Sequence, residues 1–165
     1  MLAGVRDQHG AVRRYAFTTL QSIDFGYDVD FAATVQLANR LFRLDPEPAV
    51  RAAALSLIVV EGKSRGRNWS LIEEALDDPS PTVKAVAFQE ASSAGAAEAI
   101  PYMLRGLNDE TDQWTRVSAA NALRAFVVTN PEVVDAVAAR VDNESNTYIK
   151  ELLTNVLREM RARKR

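Results

Sequence analysis

Apolar residues recur along this chain in short clusters that have the period of an α-helix. Each cluster opens at an aliphatic residue and continues mainly with apolar residues three, four and eight positions later, which share one face of a helix. The opening residues lie 38, 33, 34 and 32 positions apart: Val12, Val50, Val83, Val117 and Ile149. Repetition at this interval predicts a solenoid, in which each unit buries its apolar face by stacking on its neighbours.

Each repeat is predicted to contain two helices joined by a short acidic turn. First helices are predicted at residues 31–42, 69–76, 100–107 and 133–141, and second helices begin near the opening aliphatic residues. The turns at Asp45 and Asp78 each carry two prolines, of which Pro48 and Pro81 come last. Proline suits the first turn of a helix, because the amide hydrogen that it lacks would have no partner there.

Two of these segments carry a family resemblance. Residues 45–55 and 99–109, which read DPEPAVRAAAL and AIPYMLRGLND, resemble HEAT repeats, and more closely the short variant of the phycobilisome-lyase type. The resemblance covers essentially the whole chain and is strongest between residues 44 and 128. It implies an all-α fold, a right-handed α-solenoid of about four to five helical hairpins whose first repeat is incomplete. It also implies a curved scaffold for protein binding, since enzymes and nucleic-acid binders are a minority of the family.

The resemblance also assigns a role to the charged residues around each turn. Pairs such as Asp45 with Arg51 and Asp78 with Lys84 are expected to tie one turn to the next as a structural ladder. The fourth repeat departs from the pattern, because Ser118 stands where the other repeats carry a basic residue after the opening position. Asn121 then falls on the apolar face, where its amide needs a hydrogen-bond partner.

Composition predicts a single domain, 1–165, of a cytoplasmic protein. The chain is 47% hydrophobic and has no cysteine, and its longest nearly apolar run, residues 52–60, is about half of what a membrane span needs. The opening residues 1–7 look like the end of a helix, so a fragment of a longer protein is the alternative. The basic C-terminal run, residues 161–165, leaves the rest of the chain mildly acidic, which disfavours nucleic acid as the main partner.

No motif for catalysis or metal binding stands out. His9 is the single histidine, and without cysteine a zinc site would rest on one imidazole. We therefore expect no enzyme activity, no cofactor and no metal. The resemblance to the short-repeat branch implies one further alternative, an accessory role like that of a chromophore lyase.

The candidate binding surface follows from the resemblance. In HEAT-like solenoids the concave face is lined by positions two, six and nine after the opening residue of each second helix. Here this stripe is small and uncharged at its centre, with Val59, Leu123 and Phe126 as candidate apolar anchors. The residues predicted to bind a partner protein are Arg14, Gln21, Ser56, Val59, Gln89, Leu123, Phe126 and Asn155. The partner would be another protein or the rest of a longer parent chain, and end-to-end self-association is compatible with the incomplete first repeat.

A basic loop supplies the alternative site. Lys63, Arg65 and Arg67 precede Trp69, so the loop could hold a phosphate or an acidic partner, with a cation–π contact to the indole ring. Together with the C-terminal basic tail, it could also contact nucleic acid. The competing interpretation is a solvated connection in which Trp69 is the first core residue of the next helix.

Overall fold

The computed structural model describes residues 4–22, 31–62, 69–95, 97–109 and 111–163, and these residues are helical throughout apart from the turns. The predicted all-α repeat fold is confirmed. The α-helices of the described ranges are α1 (Gly10–Ser22), α2 (Phe31–Leu44), α3 (Pro48–Gly62), α4 (Trp69–Leu76), α5 (Pro81–Ala94), α6 (Ile100–Leu107), α7 (Gln113–Leu123), α8 (Val133–Asn143) and α9 (Thr147–Arg163). Single turns of 3-10 helix lie at Gly4–Arg6, Ala97–Ala99 and Arg124–Phe126.

The helices start where the sequence pattern places them. Helices α4 and α6 have the predicted bounds, and α2 and α8 each continue two residues further than predicted. Pro48 and Pro81 are the first residues of α3 and α5, as expected of residues that need no amide partner in the first turn. The chain divides into two compact units, Met1–Val86 and Ala87–Arg165, here called unit 1 and unit 2.

Unit 1 is built around helix α3, which packs against both α1 and α2. One face of α3 is apolar from Val50 to Ile58, because Val50 and the residues four, five, seven and eight after it are all buried. These residues are Ala54, Leu55, Leu57 and Ile58. Helix α4 adds Leu71 and Ile72 to the buried residues of this unit.

Unit 2 consists of two hairpins, in which α6 packs against α7 and α8 packs against α9, and α7 lies beside α9. Gly106 of α6 allows a close approach to α5, because a Cβ at this position would overlap the ring of Phe88. Gly95 ends α5 with a φ of +64°, a conformation in which glycine has no steric penalty.

The register of the fourth repeat differs from the prediction by two residues. Its opening position is Thr115, which is buried and is followed by the buried basic residue Arg116. Counting from Thr115, the residues four, five, seven and eight later are buried, as they are in α3: Ala119, Ala120, Ala122 and Leu123. The predicted opening at Val117, and the departure assigned to Ser118, are therefore wrong. The hydrophobic pattern missed Thr115 because a hydroxyl group marks it as polar, although Asp112 binds that hydroxyl within the helix cap.

Candidate protein-binding site

Three buried or part-buried ion pairs join consecutive hairpins along the turns. Each pair consists of an arginine next to the opening residue of a second helix and an acidic residue in the following turn. The pairs are Arg13 with Asp45, Arg51 with Asp78, and Arg116 with Glu144. In each pair two guanidinium nitrogens donate to the two carboxylate oxygens, at distances between 2.6 and 3.1 Å.

Each arginine of this ladder also binds its own turn. Arg51 Nη1 donates to the carbonyl oxygen of Asp45 at 2.9 Å, and Arg116 Nη1 donates to that of Asp109 at 2.9 Å. The ladder therefore ties one turn to the next, as expected. The predicted pairing of Arg51 with the carboxylate of Asp45, however, is wrong. The carboxylate of Asp45 binds Arg13 of the preceding repeat, and Arg51 binds the carboxylate of Asp78.

Two acidic residues of the ladder, Glu144 and Asp78, have a lowered pKa. Burial alone raises the pKa of Glu144, but hydrogen bonds from Arg116, from the Asn146 amide and from Arg140 outweigh it and lower the pKa from 4.5 to about 2. The same balance of burial against hydrogen bonds from Arg51 and the Ser80 amide lowers the pKa of Asp78. Protein groups therefore satisfy the carboxylates of Glu144 and Asp78, and these contacts join one turn to the next.

The three predicted apolar anchors are buried. Leu123, Phe126 and Val59 expose 0%, 2% and 8% of their surface, so they cannot contact a partner directly. For Leu123 and Phe126 the reason is the register of the fourth repeat. Counted from Thr115, they stand eight and eleven positions along the helix, on its core side. The prediction that these three residues anchor a partner is corrected accordingly.

The polar members of the predicted stripe lie at or near the surface. Arg14, Gln89 and Asn155 are exposed, and Ser56 is half-buried. Gln21 lies in α1, and its side chain is outside the described part of the chain. With the register corrected, Asn121 joins this group: it is exposed, and its amide donates to the carbonyl oxygen of Val117 at 3.1 Å.

Helices α7 and α9 repeat one polar motif on neighbouring surfaces. Arg124 donates to Asn121 Oδ1 at 3.2 Å, and Arg158 donates to Asn155 Oδ1 at 2.9 Å. Each arginine follows its asparagine by three positions: Arg158 lies within α9, whereas Arg124 begins the 3-10 turn that follows α7. An ion pair between Arg124 and Glu159 joins the same ends of the two helices.

An exposed aromatic pair stands at the other end of these helices. Trp114 in the first turn of α7 and Tyr148 in the first turn of α9 expose 47% and 59% of their surface. Their ring centroids are 6.2 Å apart, and the ring planes form an angle of 72°. A hydrogen bond of 2.9 Å from Asn146 to Gln113 links the two turns beside the rings. We call the surface formed by Trp114, Asn121, Arg124, Tyr148, Asn155 and Arg158 the second-helix face of unit 2.

A family model described as HEAT repeats matches residues 70–158, more than half of the chain. The chain belongs to the HEAT-repeat family. Proteins of this family are commonly scaffolds for protein interaction. No curated protein matches the chain.

The alternative binding site predicted from the sequence is the basic loop before Trp69. Lys63, Arg65 and Arg67 lie outside the described residues. Trp69 is described: it is half-buried and opens α4. At the other end of the chain, Arg161 and Arg163 are exposed in the last turn of α9.

Two further observations on these HEAT repeats concern metal sites and membrane spans. Within the described ranges, no group of three or more histidine, cysteine, aspartate or glutamate side chains is arranged to hold a metal ion. None of the described helices combines the length and the apolar character of a membrane span.

The sequence pattern missed the aromatic pair of the HEAT repeats, although a signal for it exists. Trp114 and Tyr148 each come directly before the opening residue of a second helix, and they are 34 positions apart. The same separation relates Asn121 to Asn155 and Arg124 to Arg158. Alignment of the two repeats on Thr115 and Ile149 would have revealed all three correspondences.

Proposed function

We propose that this HEAT-repeat chain is a non-enzymatic scaffold that binds a partner protein through the second-helix face of unit 2. The observation that carries the proposal is the exposed pair Trp114 and Tyr148. Tryptophan and tyrosine are enriched among the residues that dominate binding energy at protein interfaces. Two such rings held against each other at the surface give a partner a rigid apolar contact.

The rest of the face supports recognition of a protein rather than of a small apolar molecule. Asn121 and Asn155 present amides, and Arg124 and Arg158 present guanidinium groups, on the two helices that carry the aromatic pair and on the 3-10 turn that follows α7. An interface with an aromatic centre and polar surroundings is typical of protein–protein contacts. The predicted anchors Leu123 and Phe126 are replaced in this proposal by Trp114 and Tyr148.

Affinity capture with a tagged full chain tests the proposal. The bait proteins are the wild type, the double variant Trp114→Ala with Tyr148→Ala, and the control Leu44→Ala, which removes an exposed apolar side chain of unit 1. We expect a discrete partner with the wild type and the control at low and high salt. We expect the double variant to lose at least about 90% of that partner while its circular dichroism stays helical, since truncating a dominant interface residue costs about 2 kcal/mol or more. Equal capture by the folded double variant would overturn the proposal.

A second candidate function is anion binding on α9. Arg158 and Arg161 line a shallow groove of about 370 Å³ together with Thr154, Leu157 and Ala162. Its test compares Arg161→Gln with Arg163→Gln, which removes the same charge from the same helix end outside that lining. Selective loss of binding to a fluorescent hexaglutamate peptide in Arg161→Gln would support a site. Equal loss in both variants would mean diffuse attraction and would reject it.

A further inference from the structure

We propose that the aromatic pair receives a lysine or arginine side chain from a basic segment of the partner protein. This inference rests on the proposed function and adds the chemistry of the partner to it. Three observations carry it: the exposure and geometry of the rings, the carboxylates near them, and the positions of the nearest described basic residues.

The ring geometry suits a cation. Trp114 and Tyr148 meet nearly edge to face, with an angle of 72° between their planes and 6.2 Å between their centroids. We call the exposed side of this pair the corner. A cation within about 6 Å of an aromatic centroid, over the face of the ring, is attracted by the negative charge of that face. An ammonium or guanidinium group in the corner can therefore lie over an exposed ring face of the pair.

Two carboxylates flank the corner. Asp112 lies two residues before Trp114, and its carboxylate accepts hydrogen bonds from the Trp114 amide at 3.2 Å and from the Thr115 amide at 2.8 Å. Glu151 is exposed and follows Tyr148 by three positions, so it lies on the same face of α9. None of the ion pairs among the described residues uses Asp112 or Glu151.

The two described basic residues nearest to the rings in sequence are engaged elsewhere or lie on another side of their helix. Lys150 follows Tyr148 by two positions, which places it on a different side of α9. Arg116 is bound to Glu144, and the single described cation–π contact lies at Phe42 in unit 1. Asp112 also caps α7, so it offsets the positive end of that helix, which would otherwise oppose a cation.

A basic protein segment fits these features better than the alternatives. An aliphatic side chain could pack on the rings but would gain nothing from Asp112 and Glu151. The phosphates of a nucleic acid would be repelled by the same two carboxylates. A lysine or arginine gains from both the rings and the carboxylates, so the partner segment should be basic.

The test measures binding of fluorescein-labelled hexa-arginine by fluorescence anisotropy, with hexaglutamine as the neutral probe. Five variants of the full chain separate the contributions. Tyr148→Leu removes the ring and Tyr148→Phe keeps it, while Glu151→Gln and Glu98→Gln each remove one exposed acid of unit 2. Tyr15→Leu removes an exposed tyrosine of unit 1 and serves as the control for the first change.

We expect hexa-arginine to bind more tightly than hexaglutamine. Tyr148→Leu and Glu151→Gln should each weaken the binding about fivefold, within the range known for cation–π and charge contacts. Tyr148→Phe, Glu98→Gln and Tyr15→Leu should change it less than about twofold. Equal losses in Glu151→Gln and Glu98→Gln would overturn the proposal, because the peptide would then sense only the net charge.

Two further outcomes would overturn the inference without affecting the proposed function. One is tighter binding of a single-stranded oligonucleotide or of hexaglutamate than of hexa-arginine. The other is that capture of the partner depends on Trp114 and Tyr148, while Tyr148→Leu leaves the affinity for hexa-arginine unchanged. Conversely, the chain could bind hexa-arginine as expected but capture no partner protein. That result would support a cation site at the corner and would reject the scaffold proposal.

Discussion

Arg116 and Glu144 lie 28 residues apart in the sequence and form a two-bond ion pair at 2.8 and 3.1 Å. Their side chains expose 8% and 0% of their surface. Arg43 and Glu74 form the same kind of pair at 2.7 and 2.8 Å, but these side chains expose 46% and 41%. The same two-bond arginine–glutamate pair thus occurs once in a buried environment and once in an exposed one.

Removing the buried arginine should therefore cost much more stability than removing the exposed one. We expect Arg116→Ala to lower the free energy of unfolding by about 3–5 kcal/mol, because it leaves the Glu144 charge buried with fewer partners. Arg43→Ala should lower it by about 1 kcal/mol or less. Urea unfolding followed by circular dichroism measures both values, and similar losses would show that burial does not set the strength of this ladder.

Stability should fall at acid pH through Glu144. Its pKa is about 2 in the folded protein and 4.5 in the reference state, so the unfolded chain binds the proton more strongly. The stabilisation is therefore complete above about pH 4.5 and is lost as the pH falls toward about 2. Urea unfolding at about pH 5 and about pH 3 should show a smaller decrease for Glu144→Gln than for the wild type. An unchanged decrease in that variant would exclude Glu144 as its source.

Truncation of Phe126 should destabilise the protein much more than truncation of Val128. Phe126 is buried, and Phe126→Ala should cost about 3–5 kcal/mol because it leaves a cavity. Val128 is 79% exposed, and Val128→Ala should change stability by less than about 0.5 kcal/mol. Thermal or urea unfolding distinguishes the two. A stable Phe126→Ala variant would contradict the corrected register of the fourth repeat.

Gly106 should not tolerate a side chain. A Cβ there would lie 3.0 Å from both ε carbons of the Phe88 ring and closer still to its tip. We expect Gly106→Ala to destabilise the protein by about 1–3 kcal/mol through overpacking. A double-mutant cycle with Phe88→Leu checks the cause, since the smaller side chain should recover part of the loss. Additive effects of the two changes would place the strain elsewhere.

The sequence predicted the helices well, because their signals are local. Pro48 and Pro81 mark helix starts through their own backbone chemistry, and the apolar spacing in α4 and α6 gave the observed bounds. The register of α7 failed for a local reason too, since Thr115 is buried although it counts as polar, and its hydroxyl is bound by Asp112. That error of two residues was enough to move Leu123 and Phe126 from the core to the predicted surface.

The partners in the ladder could not be predicted from the sequence. Arg51 stands six residues after Asp45 and 27 before Asp78, and the nearer acid was the natural expectation. The fold reverses that choice, because the turn offers Arg51 the carbonyl oxygen of Asp45 while the following hairpin offers a carboxylate. Which acid faces an arginine depends on how hairpins stack, and this information is not contained in sequence spacing.

The ladder has a consequence for how such a chain can grow. The stretch from Asp45 to the residue before Asp78 contains Asp45, whose carboxylate pairs with an arginine of the preceding repeat. It also contains Arg51, which pairs with a carboxylate of the following repeat. If a gene duplication copied this stretch in tandem, Arg51 of the first copy would meet Asp45 of the second. No charge would be stranded at the junction, whereas the same stretch inserted in reverse order could not make these contacts. A cut at the acidic turn thus keeps each ladder arginine opposite a carboxylate when repeats are added or removed.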